Sequence, residues 1–159
     1  MGSERRRIAV GSDMRHDSAD AVAVHLEQRG CEVIRCGAAG GPDTPWPEVA
    51  DQVARLVAQR AVSGGVLCCW TGTGVSIAAN KVPGVRAALC ADAETARGAR
   101  RWNDANVLAI GLMNTPAGDV SGIVDAWLDT ADVDPDEVAN IERVSALERR
   151  YAARSMSGA

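Results

Sequence analysis

Gly64-Gly65-Val66-Leu67-Cys68-Cys69-Trp70-Thr71-Gly72-Thr73-Gly74 is the stretch that decides the architecture. Residues 65–69 form an apolar run of strand length with no polar alternation, the pattern of a strand buried on both faces of a parallel sheet. A glycine-rich turn follows at once. Residues 75–80 then read as a short helix, halted before Pro83. Strand, tight turn and helix in succession are the start of a βαβ unit.

Outward from this stretch the same alternation recurs. Residues 7–11, with Ile8 and Val10, read as a first strand ending in Gly11-Ser12-Asp13. Ala19, Val22, Ala23 and Leu26 follow at i, i+3, i+4, i+7, one face of a helix, and Gly30 stops it. Residues 32–36 make a second strand, residues 37–47 a Gly- and Pro-rich loop, and Val49, Val53, Leu56 and Val57 a second helical stripe. Residues 86–90, 93–101 and 107–110 add strand, helix and strand, and Val120, Ile123, Val124, Trp127 and Leu128 another amphipathic helix. The expected fold is α/β: a doubly wound, Rossmann-like five-stranded parallel sheet over residues 1–134, with right-handed crossovers and helices on both faces. After a polar break, Val138, Ile141, Val144, Leu147 and Tyr151 mark one face of a last helix. Residues 135–159 are thus expected to form a C-terminal helical arm that packs on the body or on a second subunit.

With 47% apolar and 24% charged residues, the composition is ordinary for a globular chain. A net charge of −4 and a single basic run, Arg5-Arg6-Arg7, argue against a nucleic-acid partner; the run reads as a solvated tail. No apolar stretch approaches the length of a bilayer span and the amino terminus lacks a signal-like apolar core, so no membrane partner is expected. Five cysteines show neither a C-x-x-C pair nor zinc-like spacing with His16 and His25, the two histidines. They read as free thiols in a reducing cytoplasm, with no metal and no cofactor.

In an open parallel sheet, ligands bind at the carboxyl ends of the strands. That rule selects Ser12-Asp13-Met14, Cys68-Cys69-Trp70, Cys90-Ala91-Asp92 and Gly111, and among these Asp13 and Cys69 carry reactive groups. The glycines after Cys69 let backbone N–H groups converge on a phosphate or a developing oxyanion. The bland alternative is a tight turn beside a buried thiol. His16, shortly after the first strand, suggests a Cys–His pairing, set against an ordinary loop histidine. His25 falls within the first helix and reads as structural.

The segment from Gly64 to Lys81, which includes Ser76-Ile77-Ala78-Ala79-Asn80-Lys81, resembles the signature of type B ribose-5-phosphate isomerases and galactose-6-phosphate isomerase subunits. The stretch Val85-Arg86-Ala87-Ala88-Leu89-Cys90, the run from Asn103-Asp104-Ala105-Asn106 to Gly111, and Val124-Asp125-Ala126-Trp127-Leu128 are similar to later family segments in order and spacing. The likeness covers roughly residues 7–148. It implies aldose–ketose interconversion through a cis-enediolate, with no cofactor. By the same resemblance Cys69 is the base, and Thr71 with the amides of Gly72, Thr73 and Gly74 stabilises the enediolate. Asp13 holds sugar hydroxyls, Asn103 contacts the reacting oxygens, Arg143 grips phosphate, and Trp46 stands for an aromatic residue lining the site. Family members are dimers or tetramers with the site between two subunits, so the last helix is expected to clasp a partner in a homodimer or homotetramer.

Departures from the pattern fall at defined places. Met14 stands where the family has histidine, Trp102 replaces the ring-opening histidine, Ala139 replaces a phosphate arginine, and Trp70 replaces glycine. An indole offers one N–H donor and no titratable nitrogen, so it shuttles no proton. The expectation is therefore an isomerase of a sugar or sugar phosphate other than plain ribose 5-phosphate. The alternative is a catalytically impaired sugar-binding relative, or one subunit of a hetero-oligomeric isomerase. A nucleotide-binding module fits less well, because the third glycine and the lysine of a P-loop are missing.

Overall fold

The computed structural model describes residues 4–158. In chain order these form β1 (Arg7–Ser12), α1 (Asp17–Gln28), β2 (Glu32–Gly37), α2 (Trp46–Ala58), β3 (Gly64–Cys69) and α3 (Thr73–Ala79). There follow β4 (Ala87–Leu89), α4 (Ala93–Asn103), β5 (Val107–Gly111), α5 (Ala117–Asp129) and α6 (Val138–Ser157). The five strands make one sheet, order β2-β1-β3-β5-β4, and every pairing is parallel. From β1 the chain crosses to β2 on one side and later to β3 on the other. The helices leaving the two strands therefore diverge, and a crevice opens between the carboxyl ends of β1 and β3.

Alternation along the strands divides the core into two layers. Ile8, Val10, Val66, Cys68, Leu108 and Ile110 face α1, α4 and α5, against Val22, Leu26, Ile123, Val124 and Trp127. Ala9, Leu67, Cys69, Val107 and Ala109 face α2 and α3, against Val49, Val53, Val57 and Val75. Every residue of β3 is buried, as its unbroken apolar run requires. The paired cysteines thus end in opposite layers.

Three sequence expectations are revised. α2 begins at Trp46, with Pro47 in its first turn, a position that needs no N–H donor; the preceding loop is correspondingly shorter. α4 continues through Trp102 and Asn103 before Asp104 turns it off with φ 46°. Arg5-Arg6-Arg7 is not a solvated tail: Arg7 opens β1 and reaches Glu32 and the Ala61 carbonyl, and Arg6 donates to the Leu128 carbonyl at 3.0 Å. α6 has an apolar side, with Val144, Leu147 and Tyr151 exposed, and touches the body where Gly84 N–H donates to Glu148 at 2.9 Å. Among the described residues, no helix is long and apolar enough to cross a membrane.

Candidate active site

Cys69 closes β3, in register with Gly111 of β5, and keeps 5% of its surface exposed at the floor of the crevice. The chain then turns through Gly72 at φ 76°, which carries it tightly across the end of β5. A Cβ at Gly72 would stand 2.5 Å from Leu89 and 2.8 Å from the Gly111 nitrogen; one at Gly111 would stand 2.6 Å from the Thr71 carbonyl. Glycine is therefore required on both sides of this contact. Met113 N–H fixes the loop further by donating to the Trp70 carbonyl at 2.9 Å. No side chain caps α3, so the amides of Thr73 and Gly74 in its first turn lack helical acceptors and remain available to an oxyanion. The Thr71 and Thr73 hydroxyls lie 2.7 Å apart above them. Cys68, one residue back, is buried on the opposite face, and burial first, then Cys69 and Asp13, pushes its thiol up to about 12.

Asp13 leaves the end of β1. Its Oδ1 is buried and has no hydrogen-bond partner. Burial raises the carboxyl above its ordinary range; its own amide and that of Met14 oppose this, and nearby Asp43 adds to it. The loop before α2 closes over this point through Thr44 N–H to the Asp13 carbonyl at 3.2 Å. Met14 is half-buried and packs against the α1-side core rather than standing free in the crevice. His16 caps α1: its Nδ1 accepts the Ser18 amide at 3.1 Å, which leaves the ring proton on Nε2. Its ring stands edge-on to Trp70, centroids 6.4 Å apart, and Trp70 is half exposed. Trp46, at the start of α2, lies over Gly74, where an added Cβ would meet its ring at 3.1 Å. His25 is structural, 2.7 Å from Asp125 between α1 and α5.

Trp102, Asn103 and Arg143 are not part of this constellation within one chain. Trp102 folds back over Gly98 and, with Asn103, lines a groove of about 600 Å³ between β4 and α6, walled by Ile141, Val144, Leu147 and Tyr151. Arg143 is exposed on α6 and donates to Asn140 at 2.7 Å. A second concavity, about 920 Å³, lies at the amino ends of the strands, on the edge of the sheet away from Cys69. Its size does not make it the catalytic site, since it holds neither thiol nor imidazole. Sequence reading missed the buttresses Thr44, Leu89 and Met113; Met113, just past the end of β5, is the one the strand-end rule could have found.

The family profile described as ribose/galactose isomerase matches residues 8–147. The chain belongs to the ribose/galactose isomerase family. It is 39% identical over 150 residues to ribose-5-phosphate isomerase B of Escherichia coli strain K12, covering 91% of this chain and 98% of that one. D-erythrulose-4-phosphate isomerase of Pectobacterium atrosepticum is 32% identical over 145 residues, covering 90% and 95%. The solved type B ribose 5-phosphate isomerase of Trypanosoma cruzi superposes with a TM-score of 0.85 at 34% identity, covering 93% and 99%. These relatives are sugar-phosphate isomerases, and the chain is an enzyme of that class, an intramolecular oxidoreductase.

Proposed function

We propose that this chain is an aldose–ketose isomerase of a sugar or sugar phosphate other than plain ribose 5-phosphate, working through a cis-enediolate with Cys69 as the base. The observation that carries the reading is the juxtaposition, at the β1/β3 crevice, of Cys69 with an Asp13 oxygen that is buried and unpartnered. An acceptor left so costs stability until a donor arrives, and a sugar hydroxyl is such a donor. Cys69 removes the proton at C2 as electrons move onto the carbonyl oxygen at C1. Thr71 and the amides of Gly72, Thr73 and Gly74 hold the resulting oxyanion. Return of the proton to C1, with transfer of the hydroxyl proton between the two oxygens, completes the isomerisation without net oxidation.

His16 takes the ring-opening role that Trp102 cannot serve. It is the imidazole at the crevice, its tautomer is set by the Ser18 amide, and its Nε2–H is the donor available to a ring oxygen. Relatives of comparable identity act on ribose 5-phosphate and on D-erythrulose 4-phosphate, so family membership leaves the sugar open. The substrate class is argued from Met14, Trp102 and Ala139, which stand for histidine, histidine and arginine, and from Trp70, which adds an indole where the family has glycine. Trp102, Asn103 and Arg143 enter the site from a second copy, whose α6 covers the apolar groove; the assembly is a homodimer or homotetramer, with residues 135–159 as the arm. The five unpaired cysteines fit a cytoplasmic setting.

A second reading, a sugar-binding relative without turnover, is favoured by the same losses at Met14, Trp102 and Ala139. Solvent-deuterium exchange at C2 of an open-chain sugar phosphate separates the two. The isomerase reading expects exchange in the wild-type protein and none in Cys69→Ser. Exchange that survives Cys69→Ser removes Cys69 from the mechanism, and its absence from both favours the binding protein.

A further inference from the structure

The concavity at the amino ends of the strands inverts the charge of the molecule. In a chain of net charge −4, its walls carry Arg5, Arg6, Arg7, Arg60 and Arg86 against one carboxylate, Glu4. Arg7 is held by Glu32, and Arg86 by Asp104 at 3.1 Å. Among the described residues, the guanidinium groups of Arg5 and Arg60 have no hydrogen-bond or ion-pair partner. The crowding extends to Arg100 behind them: burial lowers its pKa, and Arg6 and Arg86 lower it further, against the pull of Asp104.

Arg60 is held there at a conformational cost. α1 ends in a Schellman turn: Cys31 N–H bonds the Leu26 carbonyl, Gly30 N–H bonds the Glu27 carbonyl, and Gly30 is left-handed at φ 81°. α2 ends in the same turn, with Ala61 bonding Leu56, Arg60 bonding Val57, and the left-handed position at φ 57° occupied by Arg60. One protein uses glycine for the motif once and arginine once. The arginine brings backbone strain and an unpaired guanidinium to the wall of a basic cavity. Asp104 is left-handed too, at φ 46°, so the conformation alone assigns no ligand; what sets Arg60 apart is its place in the wall of a basic cavity.

We propose that this concavity binds a small metabolite carrying two or more phosphate groups, gripped by the free guanidinium forks of Arg5 and Arg60, at a site separate from the sugar crevice. A cavity of about 920 Å³ is of the size that encloses a small ligand. Its lining contains no aromatic side chain on which nucleic-acid bases would stack, which favours a compact polyphosphate over a single strand.

Calorimetry with sodium tripolyphosphate, at about 50 mM salt, tests the site. Wild-type protein and Cys69→Ser should bind one equivalent per chain with equal affinity, weakening as salt is added. Arg60→Gly should melt at a higher temperature without ligand, because glycine relieves the left-handed strain, yet bind tripolyphosphate at least tenfold more weakly. Arg5→Ala should weaken binding similarly. Absence of binding to millimolar concentration, affinity unchanged in both arginine variants, or a lower melting temperature for Arg60→Gly would each overturn the proposal. So would a single-stranded RNA oligomer that displaces tripolyphosphate at stoichiometric concentration.

Discussion

Replacing Asp13 by asparagine should raise the melting temperature of the protein while lowering its activity, and both effects originate in one partly buried carboxylate. Asp13 Oδ1 has no partner. An unmade hydrogen bond of this kind costs about 1–3 kcal/mol. Asparagine keeps an acceptor oxygen there and removes the charge; because the carboxylate is only partly buried and is held by two backbone amides, the gain lies near the lower end, about 1 kcal/mol. For a domain of this size that corresponds to a rise of about 2–4 °C. The sign with pH follows from burial, which raises the folded-state pKa above the unfolded value of about 3.9. The folded state then binds the proton more tightly than the unfolded chain. Wild-type stability relative to Asp13→Asn therefore falls as pH rises through the folded pKa, and is regained as pH drops toward about 4. Calorimetric melting from pH 4 to 8 should give a difference that is largest near neutrality and closes at the acid end. Activity should fall by about tenfold to a hundredfold in kcat/KM, the loss of one bond to a charged acceptor. An asparagine variant less stable at neutral pH, or a difference flat across the range, would refute the reading of Asp13 as a carboxylate destabilised by burial.

Other consequences are open to direct measurement. A brief iodoacetamide pulse at pH 8 should label Cys69 before Cys68, whose thiol is buried and pushed up to about 12; equal labelling would show that the two do not face opposite layers. Ribose 5-phosphate should bind at least about a hundredfold more weakly than to relatives that have histidine at the position of Met14 and arginine at that of Ala139, since each charge-assisted contact is worth roughly 1.5–3 kcal/mol; calorimetry showing equal affinity would mean that other groups grip the phosphate. Leu147→Glu, on the exposed apolar side of α6, should convert the assembly to monomer in light scattering and abolish activity while leaving each chain folded; an active monomer would confine the site to one chain.

The sheet was legible because buried parallel strands are written locally. β3 needs six consecutive residues without a charge, and glycines must follow where the chain turns across β5. The strand-end rule, which depends on topology and not on distance, selected Cys69 and Asp13, and both lie at the carboxyl ends of their strands, β3 and β1. The start of α2 was not legible, since Pro45 and Pro47 read equally as loop or as a helix's first turn. Arg5-Arg6-Arg7 misled for a related reason: a basic run looks the same whether it is solvated or tied to carbonyls of distant segments such as Ala61 and Leu128. The contacts of Trp46 with Gly74 and of Met113 with Trp70 join loops distant in sequence, and no local periodicity encodes them.

Within one chain the crevice holds the proposed proton-transfer groups and the 600 Å³ groove holds Trp102 and Asn103, so under the proposed function neither half is a complete sugar site. Among its described residues α6 has none buried, and it exposes Val144, Leu147 and Tyr151 along the same groove, a surface that water disfavours and a second copy would remove. Joining the halves in this way brings Trp70 of one copy toward Trp102 of the other. Two indoles facing a sugar offer stacking area and N–H donors in place of an imidazole and charged groups. On this reading the loss of phosphate grip at Ala139 and the gain of aromatic surface are one change seen from two sides. The proposed enediolate chemistry at Cys69 is untouched by that change, and the proposed substrate is a sugar or sugar phosphate other than plain ribose 5-phosphate.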